Sequence, residues 1–326
     1  MAKLTQFIKF EPILKEKIWG GEKLMTLFNK KSNRNDIGES WEVSDVDGDT
    51  SIVSNGALKG YSLKDLITSF KHELVGEKVF QMFQEKFPLL IKFIDAKEKL
   101  SIQLHPNDAL AKERHNSFGK TEMWYIMHAE EASNIIVGFK NDTSKQQYLE
   151  HLTNKTLLEI LNVDTVNEGD VYFIPTGRIH AIGSGVLLAE IQQTSDNTYR
   201  VYDWDRKDAQ GNTRELHTEE AIDAIDFTAQ SSYKTSYQKV KNTASNIVTC
   251  PYFTTNIIEV DQGISLDHTD KDSFVIYMCV KGCVQFHYKD ITETIEIGQT
   301  LLVPACFKKM TIEVTEPSEL LEVFIK

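Results

Sequence analysis

The chain has 326 residues, of which 41% are hydrophobic and 26% are charged, and its formal net charge is −12. Such a chain can bury a large core, and we expect a soluble globular protein of two domains. The acidic balance and the lack of a basic stripe argue against nucleic acid or an anionic membrane as a partner. An anionic small ligand would therefore need a local pocket of cationic side chains.

The sequence also predicts a cellular compartment. It contains no signal-peptide pattern and no apolar run of 18 residues, so we expect cytoplasmic residence. The cysteines form no C-x-x-C pair, and intracellular thiols are normally reduced. We expect them to pack in the core, and they are Cys250, Cys279, Cys283 and Cys306.

Strand-like segments dominate the first 200 residues. Alternating or β-branched patterns predict strands at 50–53, 89–94, 101–104, 123–127, 134–137, 170–174 and 186–192. Helical spacing predicts helices at 63–70, 76–87 and about 143–161. Because the third helical zone interrupts the strand series, we interpret it as a helical insertion on a β core.

The remaining chain is polar between 207 and 246 and then returns to short strands. A turn is predicted at 205–211 and a short helix at 218–224. Strands are predicted at 254–260, 273–280, 283–288, 300–303 and 319–324. We place a domain boundary near residue 240, which gives a first domain at 1–240, with its insertion at about 141–162, and a second at 241–326.

An internal repeat supports two related domains. Gly169 is followed by five residues and Pro175, and Gly298 is followed by five residues and Pro304. The first copy continues to His180, whereas Lys309 takes the equivalent place in the second. We therefore expect one domain to carry the chemistry and the other to be a structural relative without metal ligands.

Candidate metal ligands occur in three of the predicted strand regions. Gln103 and His105 are two residues apart, so the period of a strand places both on one face, together with Ser101. Glu122 begins the strand that contains Trp124, and His180 ends the Gly-to-Pro motif described above. An amide, two imidazoles and a carboxylate suit zinc, but manganese or iron(II) would accept the same set.

These motifs together resemble a known family. Gly-x5-Pro-x-Gly-x2-His at 169–180 is similar to the second motif of the cupin superfamily, although Gln103 replaces the first histidine of its other motif. Gln-Leu-His-Pro-Asn at 103–107, Gly-Lys-Thr-Glu-Met-Trp-Tyr at 119–125 and the run Gln-Thr-Ser-Asp-Asn-Thr-Tyr-Arg-Val-Tyr-Asp-Trp-Asp-Arg at 193–206 resemble type I mannose-6-phosphate isomerases. Ile-Trp-Gly-Gly at 18–21 and Gly-Glu-Ser-Trp-Glu at 38–42 fit as well.

The resemblance implies a fold and a reaction. The expected fold is mainly β, with two cupin-type β-barrel (jelly-roll) domains and the helical insertion in the first. The expected activity is interconversion of mannose 6-phosphate and fructose 6-phosphate by proton transfer through an enediol. One Zn²⁺ per chain is implied, held by Gln103, His105, Glu122 and His180. We expect a monomer or a weak homo-oligomer.

The resemblance also implies roles for further residues. Arg200 matches the essential active-site arginine of the family, and its permanent charge suits a phosphate or an enediolate. Lys120, Glu190 and Asp196 match acid–base candidates, and Lys120 and Glu190 both remain open as the base at carbon. Positions facing the substrate or its phosphate are matched by Ser101 and Lys92.

Two other functions compete with the isomerase. A cupin oxygenase would use iron(II) and O₂, and it is disfavoured because Gln103 replaces a histidine. A non-catalytic sugar-binding or regulatory cupin would bind a ligand without turnover. The acidic charge and the lack of a DNA-binding segment argue against a regulator.

Overall fold

A computed structural model of the chain describes residues 4–207 and 210–326. Thirteen strands are described up to residue 202. They are β1 Ile13–Gly21, β2 Ile37–Val43, β3 Asp45–Val46, β4 Asp49–Thr50, β5 Leu89–Ala96, β6 Ile102–Leu104, β7 Glu122–Ala129, β8 Asn134–Phe139, β9 Leu161–Thr165, β10 Val171–Ile174, β11 His180–Ile182, β12 Val186–Gln193 and β13 Tyr199–Tyr202.

The second half of the chain adds nine strands within the described residues, and no helix is described there after residue 222. These strands are β14 Ala244–Thr249, β15 Thr254–Val260, β16 Ile264–Asp267, β17 Val275–Lys281, β18 Cys283–Tyr288, β19 Ile291–Glu296, β20 Thr300–Val303, β21 Lys309–Val314 and β22 Ser318–Phe324. The protein is therefore mainly β, as the sequence predicted.

The helices are short and lie in the first 222 residues. They are α1 Lys23–Thr26, α2 Leu63–Phe70, α3 His72–Val75, α4 Glu77–Phe83, α5 Asp108–His115, α6 Lys145–Thr153, α7 Leu157–Ile160 and α8 Thr218–Ile222, with a 3-10 helix at Gly56–Leu58. Capping boxes begin α2 at Ser62 and α6 at Ser144, where each serine accepts from the backbone of the third helical residue. Across 4–207 and 210–326, no helix is both long and apolar enough to cross a membrane.

The strands form two pairs of antiparallel sheets with the same strand order. The first pair has the orders β1-β2-β5-β12-β7-β10 and β13-β6-β11-β8-β9, and the second has β14-β15-β22-β17-β20 and β16-β21-β18-β19. The second pair repeats the first, with β14 in the place of β2 and β15 to β22 in the places of β5 to β12. The edge strands β1 and β13 of the first pair have no counterpart in the second. Two additional short strands, β3 and β4, pair with each other.

The sequence repeat lies at the same place in both sheet pairs. Gly169 and Gly298 have φ angles of 86° and 79°, a conformation that glycine adopts without steric cost, and each precedes a strand, β10 or β20. His180 is the first residue of β11, and Lys309 is the first residue of β21. The repeat in the sequence therefore reflects a repeat in topology.

Apolar side chains fill both faces of the second sheet of the first pair. One buried cluster joins the two sheets and includes Ile94, Trp124, Ile126, Val137 and Ile182. A second cluster packs the opposite face against the helices and includes Ile102, Leu104, Tyr148 of α6, Leu157 of α7 and Ala221 of α8. Ile102 and Leu104 thus point away from Gln103, as strand alternation predicted.

Most predicted elements are present with bounds that differ by a few residues. The predicted helical zone at 143–161 contains α6 and α7, and its last residue already begins β9. The predictions omitted ten described strands, including β1, where charged residues interrupt the apolar pattern, and β11 and β13, which are too short to show alternation. The others are β2, β3, β9, β14, β16, β19 and β21. The strand predicted at 50–53 overlaps β4 only at Thr50. Residues 208 and 209 of the predicted turn lie outside the described residues.

A buried carboxylate joins three strands of the second sheet pair. Glu322 on β22 is 1% exposed and accepts from Tyr277 (2.8 Å), Lys271 (2.6 Å) and Asn256 (2.7 Å). Burial would raise the pKa of Glu322, but hydrogen bonding to His268 and the charge of Lys271 outweigh burial and lower it to about 2. Glu322 therefore stays ionised in the core and is stabilised by its partners.

Replacing this carboxylate should destabilise the protein in a pH-dependent manner. We expect Glu322→Gln to lower the free energy of unfolding by about 2–3 kcal/mol at pH 7, because charged hydrogen bonds are lost from a buried site. Since the pKa is lowered on folding, this contribution should diminish as the pH falls from about 4 towards 2. Urea unfolding at several pH values measures the difference.

Glu313→Gln is the matched control, because the Glu313 side chain is 70% exposed. It should change the unfolding free energy by less than about 0.5 kcal/mol. A difference between Glu322→Gln and the unsubstituted protein that does not vary with pH would contradict the assignment.

Candidate metal centre and active-site pocket

Three buried side chains converge at one end of the apolar cluster between the first two sheets. His105, Glu122 and His180 are each 1% exposed, and one ligand atom from each lies within 4.8 Å of the others. The Glu122 carboxylate is 3.4 Å from Nε2 of each histidine. These residues come from the end of β6, the start of β7 and the start of β11, so strand pairing brings them together.

Strand register also places Gln103 beside this cluster. Gln103 on β6 pairs with His180 on β11 on one side and with Arg200 on β13 on the other. Its side chain is half-buried, lines the pocket with His180, and accepts at Oε1 from the Ser101 hydroxyl at 3.1 Å. The four residues proposed as ligands from the sequence are thus neighbours in the fold.

Backbone carbonyls orient the two imidazoles. Nδ1 of His105 is 2.9 Å from the carbonyl of Asn197, and Nδ1 of His180 is 2.8 Å from the carbonyl of Arg178. A carbonyl can only accept, so each Nδ1 carries the hydrogen and each Nε2 offers a lone pair towards Glu122. This arrangement of Nδ1–H on a carbonyl and a free Nε2 is typical of metal-binding histidines.

The ionisation of the cluster suits a cation. Burial, with the charge of Lys120 adding to it, lowers the pKa of His105 to about 3, and burial also lowers the pKa of His180. Burial would raise the pKa of Glu122, but Lys120 and the two histidines outweigh burial and lower it well below its usual value. Two neutral imidazoles and a carboxylate result, which is the protonation state that metal ligands require.

Unpartnered polar atoms point into the same space. Among the described residues, His180 Nε2 and Glu122 Oε2 are buried and accept no hydrogen bond. The Lys120 ammonium lies 3.0 Å from Glu122 Oε2 and 3.2 Å from His105 Nε2, so a positive group already approaches this position. Buried acceptors without donors are costly, and a divalent cation would satisfy them. The residues present therefore fit a metal ion.

A pocket of about 620 Å³ leads from solvent to this cluster. Most of the substrate-site candidates predicted from the sequence line it: Lys92, Ser101, Lys120, Glu190 and Asp196. Trp19 and Trp124 line it too, whereas Trp41 is not among the lining residues and donates to Glu39 at 2.6 Å.

Two candidates differ in placement from the sequence expectation. Asp196 does not share a strand with Glu190, because β12 ends at Gln193, and its exposed side chain reaches the pocket from the segment between β12 and β13. Arg200 is half-buried but is not among the lining residues; it donates to Ser101 at 3.3 Å and to the carbonyl of Glu215 at 2.8 Å.

Buried charges alternate along the pocket wall. Lys92 lies 3.0 Å from Glu190 and 3.8 Å from Glu39, and Lys120 lies 4.0 Å from Glu190. Burial would lower the pKa of Lys92, but Glu190 and Glu39 outweigh burial and raise it, so this ammonium stays charged. For Glu190, burial and the neighbouring Glu122 raise the pKa against the opposing charges of Lys92 and Lys120. A pocket carboxyl with a raised pKa is a candidate for proton transfer.

Sequence reasoning did not identify three charged residues of the pocket. The pocket is also lined by Lys17, Glu39 and Arg214. None of them lies in a strand that the sequence had assigned to the site. Glu39 stands in the quoted segment Gly-Glu-Ser-Trp-Glu at 38–42, so that segment carried a signal. Arg214 lies in a polar stretch after β13 and has no periodic or motif signal around it.

Comparisons with known proteins agree with this geometry. Residues 7–121 match the family model described as phosphomannose isomerase type I, catalytic domain. The chain is 33% identical over 304 residues to the mannose-6-phosphate isomerase ManA of Bacillus subtilis strain 168, covering 92% of this chain and 93% of the relative. It is 35% identical over 294 residues to the mannose-6-phosphate isomerase of Streptococcus mutans, covering 90% of each.

A solved structure shares the fold over nearly the whole chain. The crystal structure of the mannose 6-phosphate isomerase from Bacillus subtilis superposes with a TM-score of 0.88 at 32% identity, covering 98% of this chain and 99% of that one.

The cluster predicts a specific loss of metal binding. His180→Ala should weaken binding of Zn²⁺ or Mn²⁺ by about 100-fold or more, because one of the oriented imidazoles is removed. Metal titration of the stripped protein, followed by calorimetry, measures the affinity. His128→Ala is the control, since His128 lies on β7, the strand of Glu122, at the opposite end of that strand; equal affinities for the two variants would contradict the metal site.

Proposed function

The chain belongs to the type I phosphomannose isomerase family and is an isomerase, and from this premise we propose that it interconverts mannose 6-phosphate and fructose 6-phosphate. The observation that carries the proposal is the buried His105–Glu122–His180 cluster at the base of a pocket lined by ionisable groups. The proposed reaction moves a proton between C1 and C2 of the open-chain sugar through an enediol. No redox cofactor is needed, because the substrate itself is oxidised at one carbon and reduced at the other.

The proposed cofactor is one Zn²⁺ per chain, with Gln103, His105, Glu122 and His180 as its ligands. Zinc accepts this mixed nitrogen and oxygen set and has no redox chemistry of its own. When bound, zinc would supply a Lewis acid that stabilises the negative charge developing on the substrate oxygens. The support from this chain is the tautomer of the two histidines and the buried Nε2 of His180, which accepts no hydrogen bond.

Glu190 and Lys120 are the proposed proton-transfer groups. Trp124 donates to Glu190 Oε2 at 2.8 Å, which holds one oxygen, while Oε1 faces Lys92 and Lys120. A carboxylate held in this way could take the proton from carbon, and the neighbouring ammonium of Lys120 could move protons on the substrate oxygens. The reverse assignment uses the same contacts, so both residues remain candidates for the base at carbon.

Ser101, Lys92 and Asp196 are proposed to contact the sugar, since all three line the pocket. Arg200 is proposed as a catalytic residue on the resemblance to the family arginine. Its guanidinium bonds Ser101, which in turn donates to Gln103, so Arg200 is connected to the proposed ligand set through one hydroxyl. We propose that this connection orients Gln103 and Ser101 towards the substrate.

We further propose two cupin-type β-barrels as the architecture, a catalytic domain at 1–240, with its helical insertion at about 141–162, and a C-terminal domain at 241–326 without metal ligands. The repeated strand order supports this division. Cytoplasmic residence and the state of monomer or weak homo-oligomer stay predictions. The competing oxygenase and the non-catalytic sugar-binding protein are not favoured, because the relatives are named as isomerases.

Metal removal tests the proposed function directly. Protein dialysed against a chelator should lose mannose-6-phosphate isomerase activity and regain it with one equivalent of Zn²⁺ per chain, because the developing charge would otherwise lack its counterion. A coupled assay of fructose 6-phosphate formation measures the rate, and circular dichroism checks that the metal-free protein stays folded. Full activity in folded, metal-free protein would refute the zinc mechanism.

Substitutions distinguish the two candidate bases. Glu190→Gln and Lys120→Met each remove one candidate. Loss of the residue that takes the proton from carbon should lower both kcat and the rate at which the C2 proton exchanges with deuterated water, each by about 100-fold or more. Loss of a group that acts only on oxygen should spare part of the exchange. Glu130→Gln is the control, because Glu130 is exposed and paired with Lys23 outside the pocket; unchanged exchange in both test variants would contradict both assignments.

A further inference from the structure

The deep cations of the pocket are already neutralised. Lys92 and Lys120 have side chains that are 4% and 5% exposed, and both lie within 4.0 Å of Glu190. Glu39 and Glu122 add a second carboxylate to Lys92 and Lys120, respectively. A dianionic ligand group brought next to them would meet at least as much negative as positive charge. The deep end of the pocket is thus unsuited to a phosphate.

Each outer cation shares its carboxylate with another cation. Lys17 and Arg214 line the same pocket with side chains that are 32% and 31% exposed. Lys17 pairs with Glu39 at 3.1 Å, so the carboxylate that faces Lys92 also faces Lys17. Arg214 is held at Nε and Nη2 by both oxygens of Asp203, the Nε bond being 2.7 Å.

Arg214 belongs to a cluster with excess positive charge. Asp203 is buried and also binds Arg206, so one carboxylate serves two guanidiniums. Arg200 lies close enough that the charges of Arg214 and Arg206 act on it, and it donates hydrogen bonds to the Ser101 hydroxyl and the Glu215 carbonyl. Three guanidiniums against the carboxylates of Asp203 and Glu215 leave an excess of positive charge beside the pocket, in a protein whose total is −12.

The chemistry of a hexose 6-phosphate matches this distribution. Its reacting carbons, C1 and C2, and its phosphate lie at opposite ends of a six-carbon chain. If C1 and C2 lie at the buried His105–Glu122–His180 cluster, the phosphate must lie towards the open part of the pocket. Lys17 and Arg214 are the more exposed lining cations there, and of the two Arg214 has further arginines beside it and presents the paired N–H groups that fit phosphate oxygens.

We infer that Arg214 binds the phosphate of the substrate, and that Asp203 is the positioning residue that presents its guanidinium to the pocket. The inference rests on the proposed function for the identity of the sugar phosphate. Asp203 occupies Nε and Nη2, which leaves Nη1 of Arg214 as the nitrogen proposed to bind the phosphate. Arg200 and Arg206 add positive charge nearby, and in this proposal Lys92 contacts the sugar rather than its phosphate.

A ligand that cannot react separates this inference from the isomerase activity. Mannitol 6-phosphate has the phosphate but no carbonyl, and mannitol lacks both. Calorimetric titration of the metal-loaded protein with each compound measures binding without turnover. Arg214→Met should weaken binding of mannitol 6-phosphate by about 10- to 100-fold and leave binding of mannitol unchanged, since a charge-assisted contact to phosphate alone is lost.

Arg34→Met provides a matched control. Arg34 binds both oxygens of Asp36 through Nε and Nη2, as Arg214 binds Asp203, but it lies on the surface outside the pocket. Its substitution should leave both affinities within two-fold of those of the unsubstituted protein. Arg214→Lys keeps the charge without the planar fork, so an intermediate affinity is expected; this variant decides the question if Arg214→Met does not fold.

The outcomes are distinct for the two proposals. Equal affinity of the unsubstituted protein and the Arg214 variants for mannitol 6-phosphate would overturn the inference, as would the absence of binding to the unsubstituted protein. Absence of turnover with mannose 6-phosphate would overturn the proposed function, whatever the titrations show. In turnover assays, Arg214→Met should raise KM by a similar factor and change kcat less, whereas a merely structural defect would lower kcat and the unfolding temperature together.

Discussion

The antiparallel pairing of β6 with β11 is the constraint on which the site depends. It places Gln103 opposite His180, while pairing of β6 with β13 places Arg200 on the other side of Gln103. A slip of one residue in either pairing would turn the polar side chains into the apolar cluster that holds Ile102 and Leu104. The packing of those two residues against the helices therefore holds the register of the polar face as well.

Charge compensation is the second organising feature. The pocket brings Lys92, Lys120, Glu122 and Glu190 out of water together, and burial of each would be costly alone. Their alternation keeps Lys92 and Glu122 ionised, while Glu190 is left as the carboxyl whose pKa is raised. The same arrangement that allows these groups to be buried thus distinguishes one carboxyl from the other in acid strength.

The two sheet pairs show how one topology serves chemistry in one copy and packing in the other. In the first pair, Glu190 on β12 lies between Trp124 on β7 and Lys92 on β5. In the second pair, Glu322 on β22 lies in the same way between Tyr277 on β17 and Asn256 on β15. Glu322 accepts from both neighbours, as Glu190 accepts from Trp124. The carboxylate position is common to both copies, whereas His180 of the first copy has Lys309 as its counterpart.

The sequence by itself determined the β class, about half of the strands, the helical zone at 143–161 and three candidate residues that the fold brings together, His105, Glu122 and His180. It did so because these features are local: alternation, helical spacing and the Gly-to-Pro motif each lie within one segment. Only the tertiary structure decided that β12 ends at Gln193, that Lys92 faces Glu190 and Glu39, and that Arg214 reaches the pocket. Those facts depend on contacts between residues far apart in the chain, and no local pattern reports which charges a fold will bring together.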